Sequence, residues 1–382
     1  MKPAPALAGL VVLALAAAAG LSVRADVCYR ERSGAPYRAP TPPPMPAPGT
    51  PLPAAFTPPA ATHIAFDQIA PLVTPISWRF GVGVPGGPGE AVWVPRLGAG
   101  WWIDWSVLPP GAVVAGGEHW QIVRLSRGRV QPALATLALW AAQRPGQTWI
   151  VGNEPDVVLQ DNVTPACFAR RYHEVYYALK RADPTAQVAV GAVAQATPLR
   201  LAYLDQVLAA YERQFGEPLP VDVWTLHGYV LPEQRFFWGV GIPPGFIQDY
   251  GVLRGHRAHA DIAIFAGQIQ AFRRWMAQHG YRERPLALTE FGIVLSSEYG
   301  FTDEQVQNFM YAAFDYLLNA HDSRIGYPAD ADRLVQRWAW FSSAYAPIPR
   351  SDLIDVNAGT LTVLGAAYRA YVETGGRGPR QG

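Results

Sequence analysis

Thr148-Trp149-Ile150-Val151-Gly152-Asn153-Glu154-Pro155-Asp156 begins with a short apolar run, and Glu154 comes two residues after the run ends. Pro285-Leu286-Ala287-Leu288-Thr289-Glu290-Phe291-Gly292 repeats this arrangement further along the chain. Short, continuous apolar runs bounded by turn residues are typical of strands that are buried on both faces, as in parallel sheets. Each run therefore predicts a buried strand with a glutamate at its carboxyl end.

The same kind of apolar run recurs from about residue 77 onward and alternates with amphipathic stretches. This alternation is typical of parallel strands joined by crossover helices. Strands are predicted at 77–84, 100–105, 121–125, 148–152, 187–193, 221–227, 286–291 and 334–341. Helices are predicted at 165–181, 199–215, 262–279, 303–319 and 363–372. Eight strands in roughly 300 residues match a barrel, so the predicted fold class is α/β, a single (β/α)8 TIM barrel preceded by a signal segment and a Pro-rich linker.

A doubly wound open sheet is the competing architecture. Such a sheet would carry a glycine-rich phosphate-binding turn between its first strand and a helix. Gly81-Val82-Gly83-Val84-Pro85-Gly86 lies at the end of the first predicted strand, but no helical pattern comes after it. The sequence therefore argues against nucleotide binding.

The N-terminal region predicts export from the cytoplasm. Lys2 precedes an apolar run at about 6–21, and Val23-Arg24-Ala25 has the small-x-small shape of a cleavage site. Residues 1–25 are predicted to be a signal peptide or, since the run approaches the length of a bilayer span, an uncleaved membrane anchor. Residues 26–60 are predicted to be a Pro-rich linker, 61–375 the catalytic domain and 376–382 a disordered tail. The expected location is secreted or extracytoplasmic.

Charge and cysteine content exclude several classes of protein. Lys and Arg number 31 against 30 for Asp and Glu, a net charge of +1, so the protein has no long-range field to attract nucleic acid. Cys28 and Cys167 are the two cysteines, which excludes a disulfide framework. Whether they pair with each other is left open by the sequence. We expect a monomer.

Two carboxylates at one rim of a barrel suit glycoside hydrolysis. The carboxyl ends of parallel barrel strands form the face at which catalysis occurs, and Glu154 and Glu290 follow the fourth and seventh predicted strands. Two carboxyl groups on either side of a glycosidic bond are what this reaction requires. A lone Asn-Glu-Pro triplet is also common in turns and helix starts. Two glutamates at strand ends make the catalytic interpretation much more specific.

Both motifs resemble those of the glycoside hydrolase clan A barrels. Asn-Glu-Pro after the fourth strand and Thr-Glu-Phe-Gly after the seventh look like the acid/base and nucleophile positions of that clan. The resemblance implies a retaining mechanism in which Glu154 protonates the leaving oxygen and Glu290 attacks the anomeric carbon. It also implies that Asn153 bonds the sugar 2-hydroxyl group.

Finer similarity extends over about residues 78–368. Several motifs, in order and spacing, resemble the catalytic core of glycoside hydrolase family 128, which includes endo-β-1,3-glucanases and fungal alkali-sensitive-linkage-type wall proteins. These motifs are Asn153-Glu154-Pro155-Asp156 with Gln160, Asn162, Thr164 and Pro165, then Val221-Asp222-Val223-Trp224-Thr225-Leu226-His227-Gly228-Tyr229, Thr289-Glu290-Phe291, Trp338-Ala339-Trp340-Phe341 and Gly359-Thr360-Leu361-Thr362-Val363-Leu364-Gly365. The implied substrate is a β-linked polysaccharide or oligosaccharide. The segment 231–260 has no pattern that can be assigned, although its place after the sixth strand could make it a wall of the cleft.

Further substrate-binding candidates lie at other strand ends. His227 and Tyr229 are at the sixth strand, where related barrels place a residue that donates a hydrogen bond to the nucleophile. Trp340 resembles the platform under the sugar in the cleavage subsite, and Trp105 and Trp78 are weaker candidates for the same cleft. Interior packing is the alternative explanation for the histidine and for each tryptophan.

No metal or cofactor is expected. The eight histidines and two cysteines form no ligand spacing typical of zinc sites. The predicted function is therefore an exported retaining glycosidase that cleaves a β-glucan. Two alternatives stay open: a carbohydrate-binding or wall-associated protein that lacks catalysis, and an exo-acting or transglycosylating enzyme that differs in its loops.

Overall fold

The structure is a computed structural model that describes residues 28–30, 69–112, 116–295 and 299–376. The predicted signal or anchor segment lies outside these residues. So do the linker, apart from residues 28–30, and the tail, apart from residue 376. None of the helices in the described ranges is both long and apolar enough to cross a bilayer.

Nine strands form one parallel sheet that closes into a barrel. They are β1 Phe80–Gly83, β2 Trp101–Ile103, β3 Glu118–His119, β4 Gln121–Val123, β5 Thr148–Val151, β6 Gln187–Val193, β7 Val223–His227, β8 Leu286–Phe291 and β9 Arg337–Trp340. Their order is β3-β2-β1-β9-β8-β7-β6-β5-β4. Only Trp120 separates β3 from β4 along the chain, so the two ends of the order are halves of one strand position. The predicted eight-strand barrel is confirmed.

Six α-helices surround the barrel in the described residues. They are α1 Leu134–Gln143, α2 Pro165–Ala182, α3 Pro198–Phe215, α4 Ile262–Gln278, α5 Asp303–Asn319 and α6 Val363–Glu373. The five predicted helices are all present, and α1 is an additional one. A small hairpin of β10 Ile354–Asp355 and β11 Thr360–Leu361 precedes α6.

The barrel departs from strict strand–helix alternation after β1 and β2. The connection after β1 consists of the 3-10 turns Gly87–Gly89, Ala91–Trp93 and Pro95–Leu97. Pro85, Pro88 and Pro95 lack the N–H groups that a continuous helix needs, which explains why no long helix forms there. The described part of the connection after β2 also lacks a helix, and it contains Pro109 and Pro110.

Large and small side chains alternate around the barrel interior. The interior cluster consists of Trp101, Ile103, Trp120, Ile122, Ile150, Ala189, Val223, Ala287 and Ala339, with Trp105 packed against it. A β-carbon added at Gly81 would come within 2.4 Å of the Trp101 indole. The indoles from two strand positions therefore fill space left by Gly and Ala on the others, because a closed barrel admits only a fixed side-chain volume. Alternate residues on the same strands face the helices.

A disulfide ties the N-terminal end of the described chain to the barrel. Cys28 bonds Cys167 on α2. The backbone N–H of Arg30 donates to Asn162 Oδ1 over 3.1 Å, and Asn162 Nδ2 donates back to the Arg30 carbonyl over 2.7 Å. Residues 28–30 therefore lie along the loop between β5 and α2. The structure thereby settles the pairing that the sequence left open.

Candidate active site

Strand ends bring the two predicted glutamates to the same end of the barrel. Glu290 lies in β8, and its register partner on β7 is His227. Glu154 follows β5 in a turn with φ values of +93° at Gly152 and +44° at Glu154. Non-glycine residues rarely adopt this left-handed conformation, and those that do are concentrated at functional sites. The Glu154 N–H donates to Ala192 O at 3.0 Å, which fixes the turn to the neighbouring strand.

Glu154, His227 and Glu290 converge on one point. One carboxylate oxygen from each glutamate and one ring nitrogen of the histidine all lie within 4.8 Å of one another. All three side chains are buried, with 7% and 6% of the surface of Glu154 and Glu290 exposed. The sequence placed these residues at one rim, and the structure shows that their functional atoms meet there.

The Glu290 carboxylate accepts hydrogen bonds on both of its oxygens. Trp105 Nε1 donates to Oε1 over 2.6 Å, and the Tyr229 hydroxyl donates to Oε2 over 2.9 Å. Burial raises the pKa of Glu290, and Glu154 adds to this. His227 and the two donors oppose the shift, and the pKa stays above its ordinary value. Hydrogen-bond donors on both oxygens hold this carboxyl group in one orientation.

His227 lies between the two carboxylates. Its Nδ1 is 2.9 Å from Glu154 Oε1, and its Nε2 is 3.4 Å from Glu290 Oε1. Burial lowers the pKa of His227, but the carboxylates of Glu290 and Glu154 outweigh it and the pKa rises. The 2.9 Å contact accommodates a proton on either Nδ1 or Oε1, because heavy-atom positions are the same in both cases. His227 and Glu154 are therefore able to exchange one proton.

The same three residues are the cluster of potential metal ligands that occurs in the described part of the chain. Their surroundings suit a proton network better than a cation. The indole N–H of Trp105 can only donate, so it always points a hydrogen at Glu290. Tyr229 presents a second hydrogen to the same carboxylate. Because each Glu290 oxygen already accepts a hydrogen bond, we assign no metal to this cluster.

A buried polar chain positions Trp105. Asp104 accepts from the Ser106 N–H over 3.2 Å, from its hydroxyl over 2.9 Å and from His119 Nε2 over 2.8 Å. Gln121 Nε2 lies 2.7 Å from His119 Nδ1. Because the amide nitrogen only donates, His119 accepts at Nδ1 and donates at Nε2 to Asp104. The turn that carries the indole is thereby fixed against β3 and β4.

Other predicted site residues lie at different places. Asn153 is buried next to Glu154, and its N–H donates to Asp161 Oδ2 at 2.8 Å. Trp340 is fully buried on the helix-facing side of β9, where its ring lies 5.3 Å from that of Phe291. Trp78 precedes β1 and therefore lies at the opposite end of the barrel, 42% exposed. The structure thus brings neither Trp340 nor Trp78 to the carboxylates.

Sequence reasoning missed Phe341 as a neighbour of the site. Its half-buried ring follows β9 and lies 5.5 Å from the Trp105 ring. Strand alternation contains the signal: if Trp338 and Trp340 face the helices, residues 339 and 341 face the interior. His119 and Asp104 had no comparable signal, because their partnership depends on contacts between loops and strands.

Trp105→Phe tests the role of the indole. An aromatic ring is retained and the N–H is lost, so we expect the pKa of Glu290 to rise further. The acidic limb of the kcat/KM profile should move to higher pH by about one unit, since a hydrogen bond to a charged group contributes roughly 1.5–3 kcal/mol. A pH series with a soluble substrate measures the shift. Trp78→Phe, at the other end of the barrel, is the matched control and should leave the profile unchanged. An unmoved acidic limb in Trp105→Phe would contradict the assigned hydrogen bond.

Comparison with known proteins finds similarity in structure but not in sequence. No protein-family model matches the chain, and no curated protein matches its sequence. A subgroup I endo-β-1,3-glucanase of glycoside hydrolase family 128 from Amycolatopsis mediterranei, in complex with laminarihexaose, aligns with a TM-score of 0.52 and 20% identity. The alignment covers 76% of this chain and 98% of that one.

Two other subgroups of the same family align equally well. A subgroup II endo-β-1,3-glucanase from Sorangium cellulosum has a TM-score of 0.52 and 18% identity, over 80% of this chain and 100% of that one. A subgroup III curdlan-specific exo-β-1,3-glucanase from Blastomyces gilchristii, in complex with glucose, has a TM-score of 0.52 and 17% identity, over 78% and 99% of the two chains. At these identities the likeness establishes a shared fold.

Proposed function

We propose that the protein is a glycoside hydrolase that cleaves a β-glucan, with β-1,3-glucan as the favoured substrate, by a retaining mechanism. The observation that carries this proposal is the convergence of Glu154 and Glu290, whose nearest ligand oxygens lie within 4.8 Å. Retaining glycosidases hold their two carboxyl groups about 5–5.5 Å apart, whereas inverting enzymes leave about 6.5–9.5 Å for a water molecule. The observed spacing supports the retaining geometry.

The first step breaks the glycosidic bond. A Glu290 oxygen attacks the anomeric carbon, and Glu154 gives its proton to the departing oxygen, so that a covalent glycosyl-enzyme ester forms. In the second step Glu154 takes a proton from water, whose oxygen attacks the same carbon and displaces Glu290. Asn153, next to the acid/base, is assigned the contact with the sugar 2-hydroxyl group.

His227 is suited to supply the proton that Glu154 needs. Glu154 must start protonated while Glu290 must start ionised. When the shared proton lies on Glu154, the neutral His227 accepts from it at Nδ1 and directs its Nε2 hydrogen toward Glu290. This arrangement stabilises the productive state of both carboxyl groups with one side chain.

The substrate class rests on the structural neighbours together with the sequence resemblance. The aligned proteins are β-1,3-glucanases from three subgroups, and one was solved with laminarihexaose. They include both endo- and exo-acting enzymes. They therefore support β-1,3-glucan as the substrate more strongly than they support either endo- or exo-action.

Hydrolysis of laminarin tests the proposal directly. We expect reducing ends to appear and the first product observed by proton NMR to be the β-anomer. An α-anomer formed first would contradict the retaining mechanism. Binding of laminarin without any products would favour the non-catalytic carbohydrate-binding alternative.

The proposed function also includes export from the cytoplasm, with the protein acting as a monomer. The predicted signal segment supports export, and the Cys28–Cys167 disulfide supports it independently, because such bonds persist in oxidising compartments. The N-terminal sequence of the mature chain checks whether cleavage follows Ala25 or whether the segment stays as a membrane tether.

A further inference from the structure

Large exposed apolar side chains are concentrated in the segment 231–260, which follows β7. Ile247 is 91% exposed, Phe236 77%, Tyr250 67%, Leu253 56% and Phe237 39%. We call these five residues the apolar platform. Exposed apolar groups that occur singly are normal, but several in one short segment mark an interaction surface.

A short antiparallel ribbon brings the parts of the platform together. Gln234 and Tyr250 form a β-bridge, and the Arg235 N–H donates to Asp249 O over 2.8 Å. Phe236, two residues after Gln234, therefore lies near the segment that carries Tyr250. Phe236 also has a φ of +58°, an unfavourable value for an aromatic residue whose ring packs into no core. Strain maintained at an exposed aromatic residue points to a function for that ring.

The platform rests on a rigid base. The guanidinium of Arg200 is fully buried and donates to Glu233 Oε1 over 3.1 Å, to Val240 O over 2.9 Å and to Gly241 O over 2.8 Å. A buried charged group is retained only when its partners satisfy it, and these bonds satisfy the guanidinium. The chain is thereby held at Glu233 and at 240–241, on either side of Phe236 and Phe237.

The same guanidinium connects the platform to the active site. Arg200 donates to the Asp156 carbonyl over 3.0 Å and also pairs with the Asp156 carboxylate. Asp156 is two residues from Glu154, so one buried side chain fixes both the turn of the acid/base and the segment 231–260. Both follow carboxyl ends of barrel strands. The platform is therefore on the same end of the barrel as the carboxylates.

The charge of the ribbon suits an uncharged partner. Its ionic residues are all paired: Arg235 with Asp249 over 2.9 Å, and Glu233 with the buried Arg200 over 3.1 Å. Flat aromatic rings without net charge match the apolar faces of neutral sugar rings.

We propose that the apolar platform binds polymeric β-glucan outside the catalytic cleft. This inference rests on the proposed function and adds a second contact surface to it. A polymer held by the platform reaches the carboxylates at a high effective concentration, so the gain should be large for insoluble glucan. A short oligosaccharide fills the cleft alone and should gain nothing.

Sedimentation with curdlan, an insoluble β-1,3-glucan, tests the platform. Glu290→Gln serves as the background so that the polymer is not consumed. Adding Phe236→Asn and Tyr250→Ser should weaken binding about tenfold, as expected for the loss of two aromatic contacts. Asn adopts positive φ readily, so the substitution at Phe236 should not harm the fold. Leu139→Asn, which removes an exposed apolar side chain from α1, is the matched control and should bind like the background.

Activity of the same platform substitutions, made without the Glu290 change, separates polymer binding from catalysis. Hydrolysis of curdlan should fall about tenfold, whereas hydrolysis of laminaritriose should change less than twofold. Ile247→Asn is a second variant, and it should give a smaller loss of the same kind if the double variant is unstable.

Three results would overturn the proposal. One is unchanged curdlan binding by the platform variants. Another is loss of binding to phosphatidylcholine–phosphatidylserine vesicles with curdlan binding intact, which would assign the surface to a membrane. The third is a dimer of the wild type that the substitutions dissociate. Curdlan binding through the platform by a wild type that hydrolyses no β-glucan would instead overturn the proposed catalysis and leave the platform standing.

Discussion

Glu290→Gln should lower kcat on laminarin by at least about 10⁴-fold, because the amide cannot form the glycosyl ester on which a double displacement depends. KM should change little, since the amide keeps the size and one acceptor of the carboxylate. Initial rates across a range of laminarin concentrations measure both quantities. Turnover within tenfold of the wild type would remove Glu290 from the mechanism.

The loss should not arise from unfolding. The pKa of Glu290 is raised in the folded protein, mainly by burial. A raised pKa means that the protonated carboxyl favours folding, and that this contribution is lost as the pH rises from the unfolded to the folded pKa. At pH 7 the ionised form is therefore a cost to stability, and Glu290→Gln should have a Tm equal to or above that of the wild type. A lower Tm would show that the charge supports the fold.

Azide provides a positive test of the nucleophile. Glu290→Gly leaves room for azide, which should attack an activated β-glucosyl substrate from the face that the carboxylate occupied. The product should be the α-glycosyl azide, because a single displacement inverts the anomeric carbon. A β-glycosyl azide from this variant would assign the residue a different role.

Glu154→Ala should show the second largest effect, and its size should depend on the leaving group. Hydrolysis of laminarin should fall roughly 10²–10⁴-fold, the usual contribution of a general acid. A dinitrophenyl glycoside needs no protonation to depart, so the first step should proceed nearly as in the wild type. Burst kinetics would then appear, because the variant lacks the base for the second step. An equal loss on both substrates would argue against Glu154 as the acid.

The same nucleophilic anion distinguishes Glu154 from Glu290. In Glu154→Ala the glycosyl ester still forms on Glu290, and azide should open it from the opposite face. The product should therefore be the β-glycosyl azide. Opposite anomers from the two variants would establish the two roles in one pair of experiments, and identical anomers would contradict the double displacement.

The sequence predicted the frame of the barrel well. All eight predicted strand positions are present, and so are the five predicted helices. This success has a local cause, because buried parallel strands are continuous apolar runs and their helices have a 3.6-residue period. The absence of a long helix after β1 also has a local cause, the prolines in that connection. Chain order and strand ends were therefore enough to place Glu154 and Glu290 on one face.

The side of β9 on which Trp340 lies could not be predicted from neighbouring residues. Strand alternation put Trp338 and Trp340 on the same side, but both sides of a buried strand are apolar, so the pattern could not say which side faced inward. The limited volume of the barrel interior determines which side chains face inward. Ala339 and Gly81 face the interior because Trp101 already fills that space.

The amino-acid sequence by itself determined a barrel with a glutamate at each of two strand ends, since periodicity and chain direction are properties of neighbouring residues. Only the tertiary structure decided that His227 stands between these glutamates, that Asp104 and His119 hold the indole of Trp105 on Glu290, and that Arg200 joins Asp156 to the segment 231–260. Those contacts join residues far apart in the chain. Their geometry depends on register, barrel closure and side-chain packing, which no local pattern records.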